Sequence, residues 1–288
     1  MTAIKASLVK KLREKTGLGM MDCKAALQES SGDIELAITN LRKSSALKAE
    51  KKSSRTAIEG VILSSLNSDL NKVVLLEVNC ETDFVSKDKH FLDFCKKVLE
   101  VAEASDASED LLEIVAEEMR DIREELIQKI GENVVIRNVL SLQGKIINYY
   151  IHTNKRIGSV VSLKKGNQEV AKNIAMHIAA LNPSVINPRD LTTEFLDQEK
   201  EIIQSQVQKE NKTPDILEKI VNGRLEKRVA EVSLIRQPYV KDPNKSIEIY
   251  LQESRAQIDC FIRLEVGEGL EIDKLDFISE VKSQLESI

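Results

Sequence analysis

Apolar residues in the first 55 positions recur every three to four residues, which is the period of an amphipathic helix. Three such stretches are separated at Gly17 and at Gly32, and Asp33 is placed to cap the third of them. The sequence therefore predicts a domain of three short helices over 1–55. Its last part, RKSSALKAEKKSSR (42–55), lacks aromatic residues, which is more typical of a solvated helix end and linker than of a phosphate-binding segment.

Residues 56–182 contain one pattern twice. The pattern is two apolar stretches on either side of a polar turn, followed by an amphipathic helix. In the first copy the two stretches are IEGVILSSL and KVVLLEVN. In the second copy they are LQGKIINYYIH and RIGSVVSLKKG, and the helix is EVAKNIAMHIAAL. Each half is predicted to be a hairpin covered by a helix. Because either half is too small to bury its own apolar face, the two should pack together as a two-part α+β core with antiparallel sheets. The first part is predicted to span 56–143. The second part is predicted to span 144–182 together with 233–266, which contains the last strand.

A long apolar stripe joins the two halves of this core. Its members follow three- and four-residue spacing, and they are Leu111, Val115, Met119, Ile122 and Leu126. We expect one long amphipathic helix, capped by Ser108 and ended by Gly131.

All five prolines lie between residues 183 and 243, where the core pattern is interrupted. Two helical stretches with narrow apolar stripes are joined at NKTP, and Pro214 suits the first position of the second helix. We predict an antiparallel coiled-coil hairpin that projects over 183–232. The chain then returns to a core strand in AQIDCFIRLEV, and Gly267 and Gly269 detach a helical module over 267–288.

Composition narrows the function classes. The net charge is −5, so binding of nucleic acid over the whole surface is not expected, although local basic patches remain compatible with it. The four cysteines show no metal-binding spacing; they are Cys23, Cys80, Cys95 and Cys260. Neither a presequence nor an apolar run of membrane-spanning length is present, which predicts a cytoplasmic protein.

The sequence contains no recognisable catalytic or phosphate-binding motif. GxxxxGK[ST] and GxGxxG are absent, and the histidines have no HExxH spacing. His177, on the apolar AMHIAA stretch, is predicted to be a packing residue. A cation could gather carboxylates and imidazole from Asp83, Asp88, His90 and Asp93, but their spacing matches no known cation loop. We therefore expect no enzyme activity, no cofactor and no metal site.

Two short segments have open alternatives. In NCETDFVSKD (79–88), composition favours a Phe84 that packs under the next helix, and the alternative is an exposed aromatic that forms an interface hot spot. In GLGMMD, Met20 and Met21 cannot both enter so small a core. Composition favours gap filling by one or both, and the alternative is an adaptable partner-binding surface.

Six motifs in order along the chain resemble those of the bacterial elongation factor Ts family. They are IKASLVKKLREKTGLGMMDCKAAL, GDIELAI, LLEVNCETDFVSKD, KIGENV, IAMHIAA and FIRLEVGEG. The resemblance covers almost the whole chain. It implies a ubiquitin-associated-like (UBA-like) N-terminal domain, a two-part core, an antiparallel coiled coil and a C-terminal helical module. It also implies guanine-nucleotide exchange on elongation factor Tu, without direct nucleotide, DNA or membrane binding.

The resemblance also implies which residues carry this role. Those that would displace Mg²⁺ from the partner are Thr82, Asp83, Phe84 and Val85. Those that would bind the partner are Arg13, Met20, Met21, Ile130, Gly131 and His152. Where the family motif has a first histidine in HIAMHIAA, this chain has Asn173, so no histidine function is expected there. The coiled coil would serve partner contact or a homodimer, and an adaptor without exchange activity is the alternative function.

Overall fold

The structure is a computed structural model that describes residues 4–69, 71–105, 110–207 and 213–270. The described residues form two compact units. The first comprises 4–63, 76–105, 110–140 and 265–270, and the second comprises 64–69, 71–75, 141–207 and 213–264. Helices and small sheets occur together, as the α+β prediction required.

The first part of the chain contributes six helices and three strands among the described residues. They are α1 (Ala6–Thr16), α2 (Met20–Glu29), α3 (Ile34–Lys52), β1 (Glu59–Asn67), β2 (Lys72–Cys80), α4 (Lys89–Ala104), α5 (Leu111–Glu118), α6 (Arg120–Ile130) and β3 (Val134–Gln143).

The three predicted N-terminal helices are confirmed. Gly17 ends α1 in the left-handed conformation (φ 69°) and donates its N–H to the Arg13 carbonyl. Asp33 caps α3, since its carboxylate accepts the backbone N–H groups of Glu35 at 2.9 Å and Leu36 at 3.0 Å. Their apolar stripes meet in a small core that includes Leu12, Cys23, Leu27 and Ala37.

The third helix is longer than its apolar pattern predicts. The segment 42–55 was expected to be a solvated helix end and linker, and α3 continues through most of it to Lys52. Contacts with α6 explain the extension. Gln128 donates to the Ser44 hydroxyl at 3.3 Å, Arg42 pairs with Glu125 at 3.4 Å, and Lys52 donates to the Gly131 carbonyl. Packing on another helix therefore stabilises a Lys- and Ser-rich stretch as helix.

The single long helix predicted over 108–131 is wrong. The chain forms α5 and α6, and Met119 between them has φ −91° and ψ 1°. Met119 is nevertheless 2% exposed, and Leu111, Val115 and Leu126 of the apolar stripe are buried, whereas Ile122 is exposed. Gly131 ends α6 with φ 83°, as predicted, whereas the predicted cap Ser108 lies outside the described residues.

One sheet has the order β1-β2-β3, and its β1–β2 pairing confirms the first predicted hairpin. β3 was not predicted; it occupies VVIRNVLSLQ directly after KIGEN. β2 is buried at every position from Val73 to Cys80, and α4 contributes Phe91, Phe94 and Val98 to the core.

The rest of the chain contributes the following elements: β4 (Ile146–Ile151), β5 (Ile157–Lys165), α7 (Gln168–Leu181), α8 (Thr193–Val207), α9 (Pro214–Val232), β6 (Pro238–Tyr239), β7 (Asp242–Ser246), α10 (Ile247–Glu253) and β8 (Gln257–Glu265). β4 and β5 pair antiparallel, and the sheet order is β4-β5-β8. The second hairpin with its helix and the final strand are thus confirmed, whereas β6, β7 and α10 were not predicted.

The two helices predicted after the core are present as α8 and α9, with Pro214 at the start of α9. They run antiparallel, because Glu199 near the start of α8 pairs with Arg228 near the end of α9 at 3.2 Å. Ile203, Val207 and Val221 form a separate small core between them. The joint NKTP lies only partly within the described residues.

Two further predictions concern single features. His177 is buried, as predicted; its Nε2 lies 2.9 Å from Oε1 of Gln237 and its Nδ1 accepts the Val240 N–H at 3.2 Å.

Most of the predicted C-terminal module lies outside the described residues, which end at 270. Within the described part of the chain, no helix has the length and apolar character needed to cross a bilayer.

Candidate functional site

Phe84 lies in the short connection between β2 and α4 and is 82% exposed. Composition favoured a ring packed under the next helix, and that expectation is wrong. The aromatic residues that α4 buries are its own Phe91 and Phe94. The alternative, an exposed aromatic at a strand end, describes its position.

A single turn of 3₁₀ helix, Val85–Lys87, holds the backbone on both sides of this ring. The Ser86 N–H donates to the Thr82 carbonyl at 3.2 Å, and the Lys87 N–H donates to the Phe84 carbonyl at 3.2 Å. Phe84 itself has helical backbone angles, φ −67° and ψ −48°. The ring therefore projects from hydrogen-bonded backbone.

The carboxylates beside Phe84 have partners within the protein. Asp83 accepts from Nζ of Lys87 at 2.8 Å, and this hydrogen bond holds the pKa of Asp83 below its usual value. Asp88 caps α4 by accepting the N–H groups of His90 at 2.7 Å and Phe91 at 3.2 Å. Across the described ranges, no three His, Cys, Asp or Glu side chains are grouped to hold a metal.

Thr82 anchors the turn to the loop that follows α6. Glu132 accepts the Thr82 N–H on Oε2 at 3.0 Å and the Thr82 hydroxyl on Oε1 at 2.7 Å. In the opposite direction, Glu81 accepts the Asn133 N–H at 2.6 Å. The residue pair Glu81-Thr82 and the KIGENV segment are thus joined by reciprocal hydrogen bonds.

Cys80 is a buried residue at the end of β2. Burial, with a further contribution from the negative charge of Glu132, raises the pKa of its thiol to about 12. A thiol of this kind stays protonated near neutral pH and is a poor nucleophile. Its Sγ donates to the Thr82 carbonyl at 3.3 Å, which gives it a structural role beneath the turn.

The other predicted residues of the first unit lie on helices α1, α2 and α6 or directly after α6. Met20 is 62% exposed and Met21 is 73% exposed at the start of α2, so neither fills a gap in the core. Arg13 is exposed on α1, Gly131 is exposed, and Ile130 is half-buried at the end of α6.

The structure brings two of these patches close together. A Cβ added to Gly17, in the turn that leads to α2, would lie only 2.8 Å from Nζ of Lys129. The turn between α1 and α2 therefore contacts the last turn of α6, which precedes the loop that holds Thr82.

His152 belongs to the second unit, directly after β4. Its side chain is exposed, its N–H donates to the Ile157 carbonyl at 2.9 Å, and its carbonyl accepts the Lys155 N–H at 2.8 Å. Its Nδ1 lies 3.2 Å from the Tyr150 hydroxyl. His152 thus lies in the turn between β4 and β5, at the tip of the second hairpin.

Sequence reasoning missed Glu81, Glu132 and Asn133. Glu132 and Asn133 lie inside the motif KIGENV, and Glu81 lies inside NCETDF, but the two motifs are some 50 residues apart and the sequence gives no sign that they meet. The one local signal was Gly131: because it was predicted to end a helix, Glu132 and Asn133 could be expected in the loop that follows.

Comparison with known proteins identifies the family. Residues 81–268 match the family model described as Elongation factor TS. The chain is 47% identical over 281 residues to Elongation factor Ts of Marinobacter nauticus, covering 98% of this chain and 97% of the relative. It is also 47% identical to that of Teredinibacter turnerae, with 98% and 97% covered, and 46% identical to that of Escherichia coli O139:H28, with 98% of each covered. The chain belongs to the elongation factor Ts family.

Proposed function

We propose that this chain, a translation elongation factor by its family, is a guanine-nucleotide exchange factor for elongation factor Tu. It binds the GDP-bound GTPase, displaces Mg²⁺ and promotes GDP release, so that GTP can enter. The observation that carries the proposal is Phe84, 82% exposed on a hydrogen-bonded turn. No covalent chemistry on a substrate of its own is involved.

An exposed, rigidly held aromatic is well suited to insertion into a partner. Aromatic residues dominate the binding free energy of many interfaces when they enter a pocket on the other protein. In the proposed mechanism Phe84, with Thr82, Asp83 and Val85 around it, enters between partner side chains near the nucleotide site. The shift of those side chains weakens the support of Mg²⁺, which neutralises phosphate charge.

Thermodynamic coupling sets the size of the effect. The factor can weaken nucleotide binding only as much as nucleotide weakens binding of the factor. A nanomolar nucleotide complex corresponds to about 12 kcal/mol, so exchange requires a coupling free energy of several kcal/mol. The stable intermediate is then a nucleotide-free complex of the two proteins, from which GTP expels the factor.

Further contacts with elongation factor Tu are proposed on both units. Met20 and Met21, with Arg13 nearby in sequence, offer an exposed apolar and basic surface at the N-terminal helices, which we propose to be UBA-like. Ile130 and Gly131 would form a second contact, and His152 a third. The α8–α9 hairpin is proposed to be a coiled coil that contacts the partner or forms a homodimer.

The test is release of fluorescent GDP from purified elongation factor Tu. The wild-type chain should accelerate release, and Phe84→Ala should slow that exchange at least about tenfold while affinity for the nucleotide-free partner changes much less. Ile114→Ala is a matched control, since it removes a side chain that is 45% exposed on α5. It should exchange at the wild-type rate.

The alternatives predict different results. No acceleration by stoichiometric wild-type chain would refute the proposed exchange activity, and binding without acceleration would support an adaptor. Equal losses of exchange and affinity in Phe84→Ala would show that the ring is only an anchor.

A further inference from the structure

The carboxylate of Glu132 makes two hydrogen bonds to one residue of the TDFV turn. Oε2 accepts the Thr82 N–H at 3.0 Å and Oε1 accepts the Thr82 hydroxyl at 2.7 Å. Two hydrogen bonds from one planar group fix orientation as well as position, and bonds to an ionised acceptor are stronger than neutral ones. Glu132 therefore restrains both the backbone and the side chain of Thr82.

Thr82 passes this restraint on to the residues that present Phe84. Because its hydroxyl hydrogen points to Glu132, the hydroxyl oxygen is left to accept the Val85 N–H, which lies at 3.4 Å. The Thr82 carbonyl also accepts the Ser86 N–H at 3.2 Å. Both residues that follow Phe84 are thus bonded to a residue that Glu132 holds.

The loop that carries Glu132 is itself fixed. Glu81 accepts the Asn133 N–H at 2.6 Å, and the Asn133 side-chain amide donates to the Arg55 carbonyl at 2.9 Å. Arg55 also pairs with Glu81 at 3.5 Å. Glu132 thus extends from an anchored loop, and its hold on Thr82 is set before any partner binds.

We propose that Glu132 is a positioning residue for nucleotide exchange, which holds the Phe84 turn in its inserting geometry and links it to the contact at Ile130 and Gly131. This inference rests on the proposed exchange function. The physical reason is preorganisation: a turn that is already ordered loses less conformational entropy on binding, and a displaced group can lose much of its effect on a reaction.

The first test needs only the chain itself. Glu132→Gln keeps the size of the side chain, but its amide nitrogen cannot accept one of the two Thr82 hydrogen bonds. Amide hydrogen exchange of residues 82–87 should become at least about tenfold faster, because local opening is easier. Unchanged protection of these amides would overturn the inference. Glu125→Gln, which removes an exposed carboxylate from α6, should leave protection unchanged.

The second test measures exchange on elongation factor Tu. Glu132→Gln and Thr82→Val should lower the maximal rate of GDP release about tenfold, whereas Thr82→Ser, which retains both donors, should lose clearly less than Thr82→Val. In a Phe84→Ala background, Glu132→Gln should have almost no further effect. An equal loss in both backgrounds would mean general structural damage and would overturn the role of Glu132.

Failure of the two proposals can be told apart by the wild-type rate. If the wild-type chain does not accelerate GDP release, the exchange function and the role of Glu132 in it are both refuted. If the wild type accelerates release and Glu132→Gln matches it, only the positioning role is refuted. Circular dichroism melting curves of each variant show that the protein compared is folded.

Discussion

Glu77 carries a carboxylate in the interior of the first unit, where the residue is 1% exposed. Its Oε1 accepts from Arg137 at 3.1 Å and from the Gly267 N–H at 2.9 Å, and its Oε2 accepts from the Asn138 amide at 2.6 Å. Arg137 also donates to the Glu268 carbonyl. We expect Glu77→Gln to destabilise the protein, because three donors depend on two charged oxygens.

The magnitude follows from the bonds that are lost. Gln retains one oxygen, so its amide nitrogen faces a donor, and a buried donor left without an acceptor costs about 1–3 kcal/mol. Breaking a fully buried ion pair costs about 3–5 kcal/mol, but the Arg137 side chain is 23% exposed and water can solvate part of its charge. We therefore expect Glu77→Gln to lower the free energy of unfolding by about 2–4 kcal/mol.

Urea unfolding followed by circular dichroism measures this loss. The matched control is Glu117→Gln, which removes an exposed partner of Arg120 at 2.6 Å and should change the free energy of unfolding by less than about 1 kcal/mol. The double variant Glu77→Gln/Arg137→Gln should lose less than the sum of the single variants. A loss below about 1 kcal/mol for Glu77→Gln, or strict additivity, would refute this account of the buried pair.

Two further predictions concern the backbone and pH. Gly60→Ala should lower the free energy of unfolding by about 1–3 kcal/mol or more, because φ is 152° and the added Cβ would lie 2.2 Å from the Val78 carbonyl oxygen. Gly223→Ala is the control: it has open space around it and should leave the free energy of unfolding unchanged or raise it. Urea titrations measure both. Burial lowers the pKa of His177, opposed by its hydrogen bond to Gln237, so below pH 6.5 the unfolded chain binds a proton that the folded chain does not. Stability should therefore fall as the pH drops from 6.5 towards the folded pKa, and His177→Gln should flatten that dependence; an unchanged slope would contradict the assignment.

Elements whose signal is local could be predicted from the sequence. Asp33 caps its helix through N–H groups two and three residues away, Gly17 and Gly131 stop theirs through their own backbone, and Pro214 begins α9. The two hairpins follow from apolar runs on either side of polar turns. The caps and stops depend on residues within one helical turn, and each hairpin depends on consecutive stretches of the chain, so a single sequence displays both signals.

Features that depend on distant residues could not be predicted. α3 continues to Lys52 because α6, some 80 residues later, provides partners for its polar side. The break at Met119 keeps the apolar period intact, so periodicity alone cannot reveal it. At the candidate site the positions of Met20, Met21 and Phe84 followed from the family resemblance, whereas the bonds between Glu132 and Thr82 required the structure.

The prediction from composition that Phe84 is buried has a physical basis, although the structure shows the ring exposed. Burying a phenylalanine side chain is worth about 1.5–3 kcal/mol, so a ring that is 82% exposed must be kept from the protein's own interior. The turn anchored on Thr82 holds the backbone around Phe84 through hydrogen bonds, and in that conformation the ring stays exposed. Burial of the ring in a pocket of the proposed partner would gain this free energy on binding.

The same magnitude limits what the ring can do alone. A gain of about 1.5–3 kcal/mol changes a dissociation constant by roughly one to two powers of ten, whereas release from a nanomolar complex needs a larger coupling free energy. In the proposed mechanism Phe84 would therefore begin the displacement of Mg²⁺ but would not account for stable nucleotide-free binding. The remainder must come from other contacts, for which Met20, Met21 and the Ile130-Gly131 turn are the exposed candidates on the same unit. On this argument Met20→Ala/Met21→Ala should weaken affinity for the nucleotide-free partner more than it slows the GDP release step, the reverse of Phe84→Ala.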